Sequence, residues 1–264
     1  MSPFGTDLIY YKPWLFFIII QTIGLTIFIM GMADNLNFYY RGKARSFRNN
    51  PSLGAMIKVF FNEILLQRQF FARGFFRWLN HILIFWGFLG LLSLSAIGVL
   101  LKIVPGDSAF FEFFTVGSGY LYYKFVGDLA GLMVLAGAAA ALIGRFTTGP
   151  DSIDTRLTDT AALGFLLLLV LTGFLLEALR LAATPWAPAF EYSFVADFMA
   201  GFIEGRQIPG SLMTALWTFH ATLTAAFVAY IPFSKMVHVF AAPAEIVINA
   251  SEEELRGDLY GYLR

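Results

Sequence analysis

The stretch WTFHATLTAAFVAYIPFSKMVH, residues 217–238, carries two of the three histidines of the chain, His220 and His238. Eighteen positions separate these two residues. At about 100° per residue, this spacing amounts to roughly five helical turns, so both imidazoles would point to one side of a single helix, about 27 Å apart along its axis. This distance is close to the ~30 Å thickness of the hydrocarbon core of a bilayer. We therefore predict that the run crosses a membrane and presents one histidine near each of its ends to neighbouring helices.

The composition of the chain is that of an integral membrane protein. Of 264 residues, 58% are hydrophobic and only 14% are charged, and the mean hydropathy is +0.69. A soluble domain is about one quarter charged. The chain contains no cysteine, which excludes disulfides, thiolate metal sites and iron–sulfur clusters held by this chain. A metal centre would have to use histidine, carboxylate or methionine ligands, and no nucleic-acid-binding pattern is present.

Five apolar runs each exceed the ~20 residues that a helix needs to cross a bilayer. At this length in lipid, a single run satisfies its backbone polar groups only as a helix. The predicted fold class is therefore all-α, a polytopic bundle of five transmembrane helices over residues 1–250 followed by a cytoplasmic tail over residues 251–264. We expect spans at residues 14–35, 78–104, 121–146, 160–183 and 211–240. The first span lacks a cleavage site and is interpreted as a retained anchor.

The distribution of lysine and arginine predicts the orientation of the bundle, because cytoplasmic loops of membrane proteins are enriched in these residues. Most of them lie in the two loops and the tail that would share one side. The loop between spans one and two is the richest, with Arg41, Lys43, Arg45, Arg48, Lys58, Arg68, Arg73 and Arg77. The N-terminus is therefore expected outside and the C-terminus in the cytoplasm.

Two segments outside the spans also have helical patterns. Residues 56–71 (MIKVFFNEILLQRQFF) are expected to form an amphipathic helix in the membrane interface. This helix would either anchor the chain to the lipid surface or dock a cytoplasmic partner. On the outer side, a short interfacial helix is expected near residues 194–204.

Two histidines occupy similar depths on different helices. His81 lies near the inner end of span two and His238 near the inner end of span five. Two neutral imidazoles facing each other across a flat macrocycle would hold a six-coordinate haem b, which is a one-electron carrier. Arg73, Arg77 and Lys235 lie at the same level and are candidates to pair with the haem propionates. The alternative is that each histidine only forms a hydrogen bond with a neighbouring helix or with water.

The third histidine, His220, has no matching histidine on span two. The positions ten to fourteen residues after His81 are occupied by Leu91, Leu92, Ser93, Leu94 and Ser95. An outer haem would therefore need His220 alone or an unusual second ligand such as Met133 or Met213. Otherwise, His220 would bind a quinone oxygen or form a buried hydrogen bond.

Charged residues within the spans are few, and three of them are candidate catalytic groups. Lys124 and Asp128 lie one turn apart at the outer start of span three, and Glu177 precedes Arg180 by three residues at the outer end of span four. Oxidation of a quinol requires a hydrogen-bonding group at its oxygens and a carboxylate or histidine that carries protons away. The alternative is a lysine extended toward the interface and a local salt bridge.

Residues 219–248, FHATLTAAFVAYIPFSKMVHVFAAPAEIVI, resemble the last span of the gamma-type membrane subunit of respiratory nitrate reductases. They also resemble the related membrane cytochromes of heterodisulfide reductases and sulfite-reduction complexes. The resemblance rests on the two histidines 18 positions apart, on the Pro-Phe-Ser-Lys-x-x-His core and on the Pro-x-Glu that follows it. Asn80 with His81 at the start of span two and Thr172 with Gly173 in span four add support.

The resemblance implies a membrane cytochrome b that transfers electrons between menaquinone or another quinone and a heterodisulfide-reductase-like iron–sulfur subunit on the cytoplasmic face. In this family the inner haem would use His81 and His238, and Lys124 falls roughly at the position of a quinol-site lysine. The outer haem would use His220 and a histidine at the position that is Leu91 here. This departure favours the heterodisulfide-reductase and sulfite-reduction branch. It predicts one haem b and leaves a second haem as an open alternative.

The family resemblance also implies the inner (cytoplasmic) membrane of a bacterium or archaeon, and quinone oxidoreductase activity only within a complex. Two other functions are compatible with the residues. One is a proton-coupled transporter or an assembly factor in which the histidines gate protons, and such a protein would carry no absorbing pigment. The other is a membrane anchor for a soluble enzyme, with no redox role.

Overall fold

The computed structural model describes residues 11–43, 53–72, 74–115, 117–147, 157–183, 192–203 and 205–243. Within these ranges the chain is helical and contains no β-strand. The α-helices are α1 (Trp14–Lys43), α2 (Leu53–Val59), α3 (Arg68–Ala72), α4 (Phe75–Ile103), α5 (Ala109–Thr115), α6 (Ser118–Thr147), α7 (Leu157–Ala183), α8 (Phe194–Gly201) and α9 (Gly210–Tyr230). A π-helical segment, Phe60–Leu65, lies between α2 and α3, and two 3₁₀ turns, Ile231–Phe233 and Lys235–Val237, follow α9.

Five segments are long and apolar enough to cross a membrane, as the sequence predicts. They are Trp14–Asn37, Phe75–Ile103, Ser118–Gly144, Thr160–Ala183 and Gly210–Phe233. The second and third segments begin three residues earlier than expected, at Phe75 and Ser118. The chain is a multi-pass membrane protein.

The prediction that one continuous helix joins His220 to His238 is wrong. α9 ends at Tyr230, and Ser234 is extended, with φ −120° and ψ 172°. Pro232 contributes to this interruption because it has no N–H for the helical hydrogen-bond ladder. The side chain of Ser234 then accepts a hydrogen bond of 3.1 Å from the Met236 N–H and begins the second 3₁₀ turn. His238 therefore lies on a separate piece of chain, and its direction is not set by the helical phase of His220.

The spans pack as a bundle in which α4 lies along α6, and α1 lies along α9. α7 contacts α6, α8 and α9 and so occupies the centre. The largest buried cluster joins Phe88 of α4, Val134 of α6, Phe174 of α7 and Phe227 of α9. Many large apolar side chains face outward; Phe76, for example, is 83% exposed. In a membrane, lipid would cover these surfaces.

Gly87 permits the close approach of α4 and α6, and it provides a test of this packing. A Cβ atom at Gly87 would lie 2.6 Å from the Ala130 carbonyl oxygen and 2.9 Å from the Val134 backbone nitrogen. These are backbone atoms, so Gly87→Ala should separate the helices and lower the free energy of unfolding by about 1–3 kcal/mol. The measurement is thermal unfolding in detergent. Gly164→Ala is the control, because a Cβ there meets nothing within 4 Å, and an equal loss in both variants would contradict the packing.

The interfacial segment differs from the single amphipathic helix expected over residues 56–71. It consists of α2, the π-helical segment, a break at Leu66–Gln67 and α3. The break occurs where Gln67 adopts a left-handed backbone conformation, with φ +51°. α5 was not anticipated, whereas α8 lies within the short helix predicted near residues 194–204. Arg73 and the tail over residues 251–264 lie outside the described residues.

Candidate functional site

His81 and His238 face each other at one end of the bundle. Their ring centroids are 6.2 Å apart, and the ring planes are inclined at 55°. An imidazole nitrogen binds a metal ion at about 2 Å, so two rings on opposite sides of one ion have centroids about 6 Å apart. The separation therefore fits two ligands of one metal centre. The pairing in space agrees with the sequence, and ligation of a haem by this pair stays a prediction.

Hydrogen bonds fix the tautomer of both rings. Nδ1 of His81 lies 2.6 Å from Oε1 of Gln67, and Nδ1 of His238 contacts the Lys235 carbonyl oxygen. Both oxygens are acceptors, so each Nδ1–H donates, and the lone pair of each neutral ring is on Nε2. A metal-binding histidine typically has this arrangement, with one nitrogen on the metal and the other donating to an oxygen.

The two imidazoles of His81 and His238 fit a metal that is already bound within a cofactor better than they fit a bare metal ion. Among the residues that the structure describes, no group of three or more histidine, aspartate or glutamate side chains is placed to hold a bare metal ion. A flat macrocycle with a central iron needs only two axial ligands from the protein. Two imidazoles at this spacing, both with the lone pair on Nε2, meet that requirement.

α4 holds the preceding segment in place beside His81. The indole N–H of Trp78 donates to the Leu66 carbonyl at 2.8 Å, and that of Trp86 donates to the Leu65 carbonyl at 3.2 Å. These bonds fix the end of the π-helical segment immediately before Gln67. Gln67 is only 4% exposed, so its amide is enclosed against His81.

The cations predicted to surround a haem lie near the pair in sequence. Arg77 is four residues before His81 on α4, and Lys235 is three residues before His238. Both side chains are exposed at this end of the bundle. Arg73 lies outside the described residues, and the contact of these cations with propionates stays a prediction.

His220 forms a different site deeper in the bundle. Its Nδ1 lies 2.8 Å from the hydroxyl oxygen of Thr172 on α7. The single proton of that hydroxyl is directed to the carbonyls of Leu168 and Leu169, at 2.8 and 3.0 Å. Thr172 therefore accepts from Nδ1–H, and the lone pair of His220 is again on Nε2.

The side chains considered as partners for His220 have other surroundings. Leu91 packs against the Phe88 cluster, and Met213 is fully buried against Leu179. Met133 lines an apolar groove of about 390 Å³ between α4 and α6. The contacts that the structure gives these side chains therefore supply no second ligand for His220. The buried hydrogen bond, one of the roles considered for this residue, is present.

A cluster of three ionisable side chains lies at the opposite end of the bundle from the histidine pair. Lys124 Nζ is 2.8 Å from Glu177 Oε1, and Arg180 binds both carboxylate oxygens of Glu177, with Nε 2.8 Å from Oε2 and a terminal nitrogen 2.6 Å from Oε1. The predicted pairing of Glu177 with Arg180 is confirmed. The contact from Lys124 joins residues 53 positions apart and could not be read from spacing within one helix. One carboxylate thus faces two cations, so the cluster has an excess of one positive charge when all three groups are ionised.

Asp128, the third catalytic candidate, binds the start of α8. Its Oδ2 accepts hydrogen bonds from the backbone N–H groups of Val195 and Ala196, at 2.6 and 3.3 Å. These amides belong to the first turn of α8, where helical N–H groups lack partners within the helix. The N-cap residue itself, Ser193, forms no side-chain capping bond. A carboxylate 67 positions away in sequence therefore performs the capping function, and a proton-carrying role for Asp128 stays a prediction.

Removal of this carboxylate should loosen α8. We expect Asp128→Ala to lower the free energy of unfolding by about 0.5–2 kcal/mol, the usual effect of losing an N-cap side chain. Thermal unfolding measures this loss, and protease sensitivity of residues 192–203 locates it. Asp107→Ala is the matched control, because Asp107 is exposed in the loop after α4. An unchanged unfolding temperature in Asp128→Ala would show that the cap contributes nothing.

The fold and these sites together define a class of protein. The chain is a polytopic helical membrane protein with a pair of imidazoles suited to a cofactor at one end and a partly buried ion cluster at the other. It belongs to the nitrate reductase gamma subunit family, which matches residues 69–251. The predicted family resemblance is therefore confirmed.

Curated relatives lie in the predicted branch. One polypeptide of the dihydromethanophenazine:CoB–CoM heterodisulfide reductase from Methanosarcina acetivorans is 23% identical over 272 residues, covering 89% of this chain and 91% of that protein. Its counterpart from Methanosarcina barkeri is 24% identical over 210 residues, covering 75% and 68%. EtfAB:quinone oxidoreductase from Syntrophomonas wolfei is 25% identical over 240 residues, covering 87% of this chain but 32% of that protein. The chain therefore spans about a third of the length of this last relative.

Proposed function

We propose that this protein is the membrane haem b subunit of a respiratory oxidoreductase complex, which transfers electrons between a membrane quinone and an iron–sulfur subunit on the cytoplasmic side. The observation that carries the proposal is the His81–His238 pair, with ring centroids 6.2 Å apart and both Nδ1 atoms donating to oxygens. The family match and the heterodisulfide reductase relatives support the same function.

His81 and His238 would hold the haem through Nε2. A haem held by these two histidines would supply reversible one-electron transfer. Gln67 and the Lys235 carbonyl hold the two rings in the tautomer needed for ligation. The exposed Arg77 and Lys235 offer positive charge at the same end, where carboxylates of the cofactor would otherwise carry uncompensated charge.

The ion cluster at the opposite end is the proposed site of quinol oxidation. Lys124 would donate a hydrogen bond to a quinone oxygen. Glu177, which is paired with both Lys124 and Arg180, would hold the lysine in place. Thr172 lies five residues before Glu177 on α7, about 7.5 Å along the helix axis. His220, bonded to Thr172 through Nδ1, offers Nε2 as the acceptor of a proton from the quinol, deeper in the bundle. Protons would leave from this end while electrons pass toward the histidine pair.

The histidine end of the bundle is the proposed docking face for the iron–sulfur partner. The interfacial segment formed by α2, the π-helical segment and α3 lies at this end through its bonds to Trp78, His81 and Trp86. Ile57, Phe60 and Phe61 of this segment are exposed, between 43% and 54%. The exposed Lys58 and Arg68 add positive charge. This mixture suits both the lipid interface and an acidic cytoplasmic subunit.

Anaerobic mixing of the detergent-purified chain with a quinol tests the function. We expect the absorbance spectrum of a b-type haem. Dithionite should reduce this haem fully, and the quinol should reduce it in part or in full. A folded, colourless protein would favour the proton-transport or anchor function instead. A pigment that dithionite reduces but quinol does not would retain the cytochrome and exclude the quinol site.

A further inference from the structure

Gln67, which lies between the π-helical segment and α3, has three unusual features. It is the one non-glycine residue in the described part of the chain with a positive φ, +51°. It is 4% exposed, and its side-chain oxygen lies 2.6 Å from Nδ1 of His81. The left-handed backbone region disfavours L-residues with a long side chain and is ordinarily occupied by glycine or asparagine. A glutamine enclosed in this conformation indicates that its side chain is needed where the backbone places it.

The backbone around Gln67 directs the amide toward α4. The π-helical segment ends next to Leu66, whose N–H donates to the Phe61 carbonyl at 3.0 Å. Gln67 interrupts the helical backbone, with φ +51°, and α3 begins at Arg68. The indoles of Trp78 and Trp86 hold the carbonyls of the two residues immediately before Gln67. The glutamine oxygen is therefore held against His81 by α4 itself.

We propose that Gln67 is a positioning residue for His81, and that its amide oxygen fixes the tautomer and direction of the imidazole and increases the electron density that Nε2 offers to a metal. Hydrogen bonds from the far nitrogen of a metal-binding histidine orient the ring and raise its basicity as a ligand. This inference rests on the proposed haem function. It adds that the interfacial segment, as well as the helix bundle, sets the midpoint potential of the haem.

A series of variants at position 67 separates the side chain from the backbone. Gln67→Leu removes the acceptor and keeps the backbone strain. Gln67→Gly removes the acceptor and relieves the strain. Gln67→Glu keeps an acceptor and adds negative charge. Gln21→Leu is the control. The amide of Gln21 also forms a half-buried hydrogen bond, from Nε2 to the Ala221 carbonyl at 2.9 Å, but Gln21 is on α1 and bonds to α9.

The readouts are the midpoint potential of the haem in the purified full-length chain and its low-spin electron paramagnetic resonance signal. A stronger hydrogen-bond acceptor favours the oxidised iron, so Gln67→Glu should lower the potential, and Gln67→Leu and Gln67→Gly should both raise it. We expect at least a tenfold change in the ratio of reduced to oxidised haem at a fixed potential, or about 59 mV for one electron. The resonance signal should broaden in Gln67→Leu and Gln67→Gly, because the ring loses its fixed direction. Gln21→Leu should change neither property.

Different results would overturn this inference and the proposed function. If the unmodified chain binds no haem, the proposed function fails, and the inference fails with it. If the unmodified chain binds haem but all three variants at position 67 keep its potential and resonance signal, Gln67 has only a structural role. If Gln67→Gly behaves as the unmodified chain while Gln67→Leu does not, the backbone conformation and not the amide oxygen matters, and the inference is also wrong.

Discussion

Replacement of His238 by alanine should abolish haem binding while leaving the protein folded. The variant removes one of two axial ligands, and loss of even an outer hydrogen-bonding partner typically costs about 10–100-fold in metal affinity. Loss of a ligand itself should cost more, so the purified variant should contain almost no haem. His238 is exposed and lies after the second 3₁₀ turn, so its truncation opens no cavity in the Phe88 cluster. The measurement is haem content per polypeptide together with thermal unfolding.

His220→Ala is the matched control for this prediction. His220 bonds to Thr172 and has no second imidazole opposite it in the described structure. A chain with one haem should therefore keep its full haem content in His220→Ala. Full haem content in His238→Ala would contradict the ligand assignment. Loss of half the haem in His220→Ala would show that a second haem uses this residue.

Replacement of Lys124 by alanine should slow reduction of the haem by quinol but not change haem content. A hydrogen bond to a charged group contributes about 1.5–3 kcal/mol, which corresponds to a rate reduction of roughly tenfold to a hundredfold if the bond forms in the transition state. Lys124→Ala leaves the bonds between Glu177 and Arg180 in place, so no unpaired carboxylate is created. The measurement is stopped-flow reduction by quinol under saturating conditions, with dithionite reduction as the reference.

Lys102→Ala is the control for the loss of a cation at this end of the bundle. Lys102 is exposed at the end of α4, with its Nζ 4.2 Å from the centroid of the Trp14 ring. Its replacement should leave the quinol rate unchanged. Equal slowing in both lysine variants would indicate a general effect of surface charge on quinol association. An unchanged rate in Lys124→Ala would remove Lys124 from the site.

The five-span bundle follows from composition and run length alone, because lipid admits long apolar runs only as helices. The pairing of His81 with His238 was also predictable, but part of the reasoning was wrong. The interruption at Pro232 and Ser234 breaks the helical phase that was to align His220 with His238. His238 reaches its partner because a new turn begins after Ser234. The depth of His238 in the membrane, and not its helical face, therefore predicted the correct pair.

The contacts made by Lys124, Asp128 and Gln67 could not be predicted from the sequence. Lys124 bonds to a residue 53 positions away and Asp128 to amides 67 and 68 positions away. Such contacts depend on how α6, α7 and α8 pack, and no local pattern encodes that arrangement. Gln67 lies within the amphipathic run predicted over residues 56–71, 14 positions before His81. The run was expected to remain helical, which would have excluded the left-handed turn at this residue.

The most direct test of the central claim is the haem content of the unmodified, detergent-purified chain by the pyridine haemochrome assay. The His81–His238 pair predicts one haem b per polypeptide, and Leu91 supplies no axial ligand for a second one. Absence of haem from a folded preparation would contradict the cytochrome function and favour a transporter or an anchor. Two haems per chain would contradict the single-site description and require a second ligand beside His220.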